Sequence, residues 1–85
     1  MNFGQAIEAL KDGKKVARKG WNGKGIWLCL IESGEYTIET MKFLGEELYQ
    51  SSKLTWIGMK TADKRFVPWL ASQTDMLCED WEVVE

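Results

Sequence analysis

The chain is 85 residues long, with a formal net charge of −2 and an acidic pI near 5.2. That length supports a single domain, residues 1–85, and the acidic balance argues against a duplex-binding protein, which needs a basic face. There is no histidine, and the two cysteines, Cys29 and Cys78, are too far apart for a metal-ligand pair, so the commonest general base and the usual zinc spacings are both missing.

In chain order, Asn2 is placed to cap a first helix, with Gln5 three residues on in the capping-box position. Phe3, Ala6, Ile7 and Leu10 follow helical spacing on one face, and Gly13 stops the helix. Lys14 to Arg18 reads as a short strand with Val16 inward. Asn22-Gly23 is a strong turn dipeptide, so Arg18 to Gly25 is expected to lead that strand into the next, Ile26 to Glu32. The second strand, around Ile26-Trp27-Leu28-Cys29-Leu30-Ile31, has no polar alternation and must be covered on both faces. The first helix covers one, and a second subunit is the simplest cover for the other. The same run is too short and too internal to be a signal peptide or a membrane span.

From Ser33 to Ser52 the pattern is weaker. Ser33-Gly34 reads as a turn and Met41, Leu44 and Leu48 as a helical stretch, with Gly45 counting against it. Leu54 to Thr61 is a strand around Trp56, Ile57 and Met59. Ala62-Asp63-Lys64 turns it into Arg65 to Trp69, where Pro68 marks an edge or a strand end. Ser72 or Thr74 caps a short helix through Asp75, Met76, Leu77 and Cys78. Trp81 to Glu85 is a terminal strand with Trp81 and Val83 on one face. The sum is an α+β fold: a small antiparallel sheet of about five strands, with an N-terminal helix and a short C-terminal helix packed on it. Five tryptophans in so short a chain are more bulky apolar surface than a small monomer readily hides, which predicts self-association. The cysteines read as buried, reduced thiols of a cytoplasmic protein.

Two stretches carry chemistry. Arg18-Lys19-Gly20-Trp21-Asn22-Gly23-Lys24-Gly25 combines glycines, cations, an amide and an indole. Glycine lets a ligand approach the backbone, whose N–H groups donate to anions. Arg18 and Lys24 add charge, and Trp21 adds a flat face for a base. A hairpin turn with solvated lysines and an inward tryptophan explains the same residues without a ligand. Trp69 to Trp81 places Ser72, Gln73, Thr74 and Asp75 at a helix start, where donors and the dipole favour an anion or hydroxyls. A helix cap between core tryptophans is the bland alternative. Asp75 and Asp80 form a possible acid pair, which capping and surface solvation explain more simply.

With the first helix, these stretches resemble a known family. Phe3-Gly4-Gln5-Ala6 and the helix to Gly13, Val16 to Gly25, Trp69-Leu70-Ala71-Ser72-Gln73-Thr74-Asp75-Met76-Leu77, and Asp80-Trp81 are similar to the second type of phage Thoeris anti-defence protein. The likeness covers both ends, roughly half the chain, and leaves Glu32 to Leu54 unmatched. It implies a sponge: a non-enzymatic protein, without cofactor, that holds a cyclic ADP-ribose immune signal unaltered in the infected bacterial cytoplasm. It also implies a homo-oligomer, typically a tetramer, with pockets at subunit contacts. On this reading a tryptophan such as Trp21 stacks on the adenine. Arg18, Lys24 and the amides around Gly23 and Gly25 meet the diphosphate. Asn22, Ser72, Gln73, Thr74 and Asp75 bind ribose hydroxyls and the base edge, and Trp69 walls the site. Trp81 is assigned to the core, and Trp27 and Trp56 to core or interface. The alternatives are a sponge for cyclic oligonucleotide signals, a sugar- or nucleic-acid-binding module, an enzyme cleaving a cyclic nucleotide, and a structural phage protein. No membrane or nucleic-acid partner is expected.

Overall fold

The computed structural model describes residues 1–22, 24–32 and 55–84. Helix α1 (Phe3–Lys11) opens the chain through the expected capping box. The Gln5 N–H donates to Asn2 Oδ1 at 2.8 Å, and the Asn2 N–H donates to Gln5 Oε1 at 2.9 Å. Two otherwise orphaned donors are satisfied reciprocally. At the far end Gly13 takes a left-handed φ of 84°. Its N–H donates to the Leu10 carbonyl and that of Lys14 to the Ala9 carbonyl, the paired bonds of a Schellman ending.

Strand β1 (Lys15–Arg18) follows, with Val16 inward as expected. Ala17, on the opposite face, is fully buried as well, being a methyl between longer side chains on both neighbouring strands. The connection out of β1 differs from the expected hairpin turn. Lys19–Asn22 forms a helical turn, α2, so Asn22 is helical rather than left-handed. The Lys24 N–H then donates to the Trp21 carbonyl at 2.9 Å, and Gly25 supplies the positive φ, 69°. Sequence favoured Asn-Gly as the turn because it is the strongest local signal. The Trp21–Lys24 bond brackets that dipeptide, with Asn22 helical at the end of α2.

Strand β2 (Trp27–Glu32) pairs with β1 through Val16↔Leu28, and with β3 (Thr55–Lys60) along its whole length, from Trp27↔Lys60 to Glu32↔Thr55. A turn in which Lys64 has a φ of 65° leads into β4 (Phe66–Pro68). This is an edge strand, where Pro68 removes no ladder bond the sheet needs. Helix α3 (Gln73–Leu77) is capped by Ser72, and β5 (Trp81–Val84) returns to pair antiparallel with β1 from Lys15↔Val84 to Arg18↔Trp81. The sheet order is β4-β3-β2-β1-β5, an antiparallel α+β arrangement as expected. The turn at Ser33-Gly34 and the helical stretch at Met41, Leu44 and Leu48 lie outside the described residues, as do Gly23, Leu54 and Glu85. Among the described residues no helix is long and apolar enough to cross a membrane.

The two sheet faces differ. Helix α1 packs Ala6, Ala9 and Leu10 against Val16, Leu28 and Trp81, with Leu30, Ile57 and Met59 partly buried around them. Alternation puts Trp27, Cys29, Ile31, Trp56, Gly58 and Phe66 on the other face. There the Phe66 ring lies so closely over Gly58 that a Cβ at that position would overlap it. Phe66 also bridges Trp27 and Trp56, at centroid distances of 6.5 and 6.0 Å. The Lys15 ammonium sits 4.4 Å from the Trp27 ring, within cation–π range.

Candidate functional site

The pairing of β5 with β1 brings the two chemistry-bearing stretches to one corner of the sheet. Trp21 comes from α2, Trp69 from just after β4, and Trp81 from the start of β5. Their rings meet edge to face: Trp21–Trp81 at 5.3 Å and 82°, Trp69–Trp81 at 6.0 Å and 84°, and Trp21–Trp69 at 6.3 Å and 75°. Such tilted arrangements suit the ring quadrupoles. Phe3 of α1 joins at 5.7 Å from Trp81 and 6.3 Å from Trp69. Trp81 is buried, as its assignment to the core requires, whereas Trp21 and Trp69 are half-buried.

Beside the rings, Ser72 and Asp75 form a second capping box. The Asp75 N–H donates to Ser72 Oγ at 3.1 Å, and the Ser72 N–H donates to Asp75 Oδ2 at 2.9 Å. Asp75 is 8% exposed, the one buried charged residue among those described. Its other oxygen, Oδ1, accepts from Arg18 Nη1 at 3.1 Å, while Arg18 Nε donates to Asp80 Oδ1 at 3.0 Å. The Asp75 carbonyl accepts from the Trp81 indole Nε1 at 2.9 Å and from the Cys78 thiol at 3.3 Å. One residue thus ties the start of α3 to the end of β1 and to the core tryptophan. Nearby, the Met1 carbonyl accepts from the Trp81 N–H, and the Met1 ammonium donates to the Trp81 carbonyl at 2.8 Å.

The electrostatics follow from these contacts. Burial alone raises the Asp75 carboxyl, but the two Ser72 bonds and the Arg18 guanidinium outweigh it, and the group sits below the ordinary carboxylate range. Asp80 is lowered too, by the Cys78 thiol first and Arg18 second. Arg18 is raised, chiefly by Asp80. All three groups are charged at neutral pH. Burial raises the Cys78 thiol, and Asp80 raises it further. Both cysteines are unpaired and half-buried, so these thiols are poor nucleophiles.

Of the expected site residues, the corner gathers Arg18, Trp21, Trp69, Ser72 and Asp75. Gln73 and Thr74 lie exposed on the first turn of α3. Asn22 ends α2. Lys24 is exposed on the same connection, and Gly25 is tied elsewhere, its carbonyl accepting from Lys60 Nζ at 2.8 Å. Gly23 lies outside the described residues. Sequence reasoning underrated Asp80, whose side chain is 37% exposed and is also an ion-pair partner of Arg18. The signal was available in Asp80-Trp81, the last pair of the resemblance.

The Thoeris anti-defense 2-like domain family matches residues 1–84. The chain is also 42% identical over 84 residues to Thoeris anti-defense 2 of Bacillus phage SP01, an alignment that spans 99% of this chain and 94% of that protein.

Proposed function

Since the chain belongs to the Thoeris anti-defense 2-like family, we propose that it blocks bacterial Thoeris immunity as a sponge, binding a cyclic ADP-ribose signal, glyco-cyclic ADP-ribose, and holding it intact. The observation that carries this reading is the corner where half-exposed Trp21 and Trp69 stand beside the polar start of α3. A base would stack on one of these indoles, and ribose hydroxyls would meet the exposed Ser72, Gln73 and Thr74. Catalysis is not needed. Sequestration asks only for sites in excess of the signal and a Kd below its concentration. A nanomolar Kd corresponds to about −12 kcal/mol, which is more than a shallow corner of one small domain readily supplies. The proposal therefore includes a homo-oligomer, of the tetrameric kind, in which a neighbouring copy encloses the ligand. The infected cell's cytoplasm, where the signal is made, is the proposed place of action.

The test is recovery of ligand. Purified protein is incubated with glyco-cyclic ADP-ribose, freed of unbound ligand, heat-denatured, and the released small molecule is identified by mass spectrometry. Intact ligand in proportion to protein is the expected result. A cleaved product would make the protein an enzyme. If nothing is retained this ligand is wrong, and cyclic di- and trinucleotides become the next probes. Trp21→Ala should weaken binding while leaving the fold, and an unchanged titration curve would remove Trp21 from the site.

A further inference from the structure

Arg18 is the obvious candidate to meet a ligand's diphosphate, but its surroundings suit a different task. Two carboxylates face one guanidinium, with Asp80 on Nε and Asp75 on Nη1. The trio is negative overall and offers an approaching phosphate no net attraction. The Arg18 and Asp75 side chains are only 22% and 12% exposed, so water screens their pairing weakly. What the trio does is mechanical. It joins the end of β1 to the capping box of α3 and to the residue before β5, and Asp75 in turn holds the Trp81 indole. A planar fork suits this bridging, which a lysine point charge could not reproduce.

We infer that Asp80 is a positioning residue of the candidate site: it orients Arg18 as a bracket that holds the Ser72–Asp75 turn against the tryptophan cluster, and not as a contact to the ligand's anion. This rests on the binding role proposed above. The anion is left to other cations, of which Lys19 and Lys24 are exposed on the connection after β1.

Asp80→Asn separates the two roles by sign. If Arg18 bound the anion, removing a competing carboxylate would tighten glyco-cyclic ADP-ribose binding and steepen its salt dependence. As a bracket, Arg18 exchanges a charged acceptor for a neutral amide oxygen, its hold loosens, and binding weakens about tenfold, the scale of a charge-assisted contribution, with the salt dependence unchanged. Arg18→Lys should behave like Asp80→Asn, and Asp80→Glu should restore most of the affinity. A readout without ligand accompanies these: hydrogen exchange of the Trp81 indole N–H, followed by NMR in the free protein, with melting curves to confirm that each variant is folded. Both Asp80→Asn and Arg18→Lys should accelerate that exchange. Unchanged exchange in both, or unchanged or tighter binding by Asp80→Asn, overturns the inference. If the wild-type protein binds no glyco-cyclic ADP-ribose, the sponge reading fails on its own account and the exchange measurement still decides the bracket.

Discussion

Asp75 shows how far one residue's chemistry can be read from its neighbours in sequence. Ser72 and Asp75 stand three apart, so the capping box was legible from spacing alone. Its bond to Arg18 was not, because it joins residues 57 positions apart and no local pattern encodes that. The consequence is a pH dependence with a definite sign. Asp75 and Asp80 both have lowered carboxyl pKa values in the folded protein. Their contribution to stability is therefore complete above the unfolded carboxylate pKa of about 4, and it is lost as pH falls through the lower folded values. Thermal melts should give a flat Tm from pH 7 to about 5 and a progressive fall below about 4. Asp75→Ala strands the partly buried Arg18 cation on that side and removes the carboxylate half of the α3 capping box, leaving the Ser72 N–H without its acceptor. A loss of about 3 kcal/mol is expected. In a domain of this size that is roughly 10–20 °C in Tm.

At the level of elements, helices were more legible than turns. Helix α1 was set by its periodicity, its Asn2–Gln5 box and Gly13, all local rules that tertiary structure had no reason to override. The Asn22-Gly23 turn followed an equally local rule, and the Trp21–Lys24 bond does bracket it; what the rule missed is that the connection enters it through a helical turn, Lys19–Asn22, with the Trp21 indole packed on Trp81. Gly58 makes a related point within a strand. Its missing side chain is the space the Phe66 ring occupies, a fit that no local pattern announces. Gly58→Ala should destabilise the protein by about 1–3 kcal/mol through overpacking, measured by urea unfolding. Adding Phe66→Leu should recover part of the loss. Full additivity of the two substitutions would mean that the ring and the glycine are not coupled.

For the whole molecule, the composition announced a surplus of aromatic surface, and the fold distributes it over two places. Trp21, Trp69 and Trp81 gather at the candidate site, while Trp27 and Trp56 lie with Phe66 on the sheet face away from α1. Strand β2, apolar on both sides, forecast that second face; the sheet order could not be forecast, since β5 chooses β1 over the nearer edge strand β4 through contacts far apart in sequence. If the second face is also where copies of the chain meet, Trp56→Lys should lower the solution mass towards that of a 9.8 kDa monomer in light scattering. An unchanged mass would move the interface elsewhere. The same choice by β5 also fixes when the corner can exist. Strands β1 to β4 pair in sequence order, each with its neighbour, but Arg18 meets its carboxylates and Trp21 its partner rings only across 48 to 62 positions of chain, from Trp69 to Asp80 and Trp81. Closing so long a loop comes late and slowly. In refolding, the neighbour-paired strands would therefore assemble ahead of the corner, and the candidate site would be the last part of the fold to form.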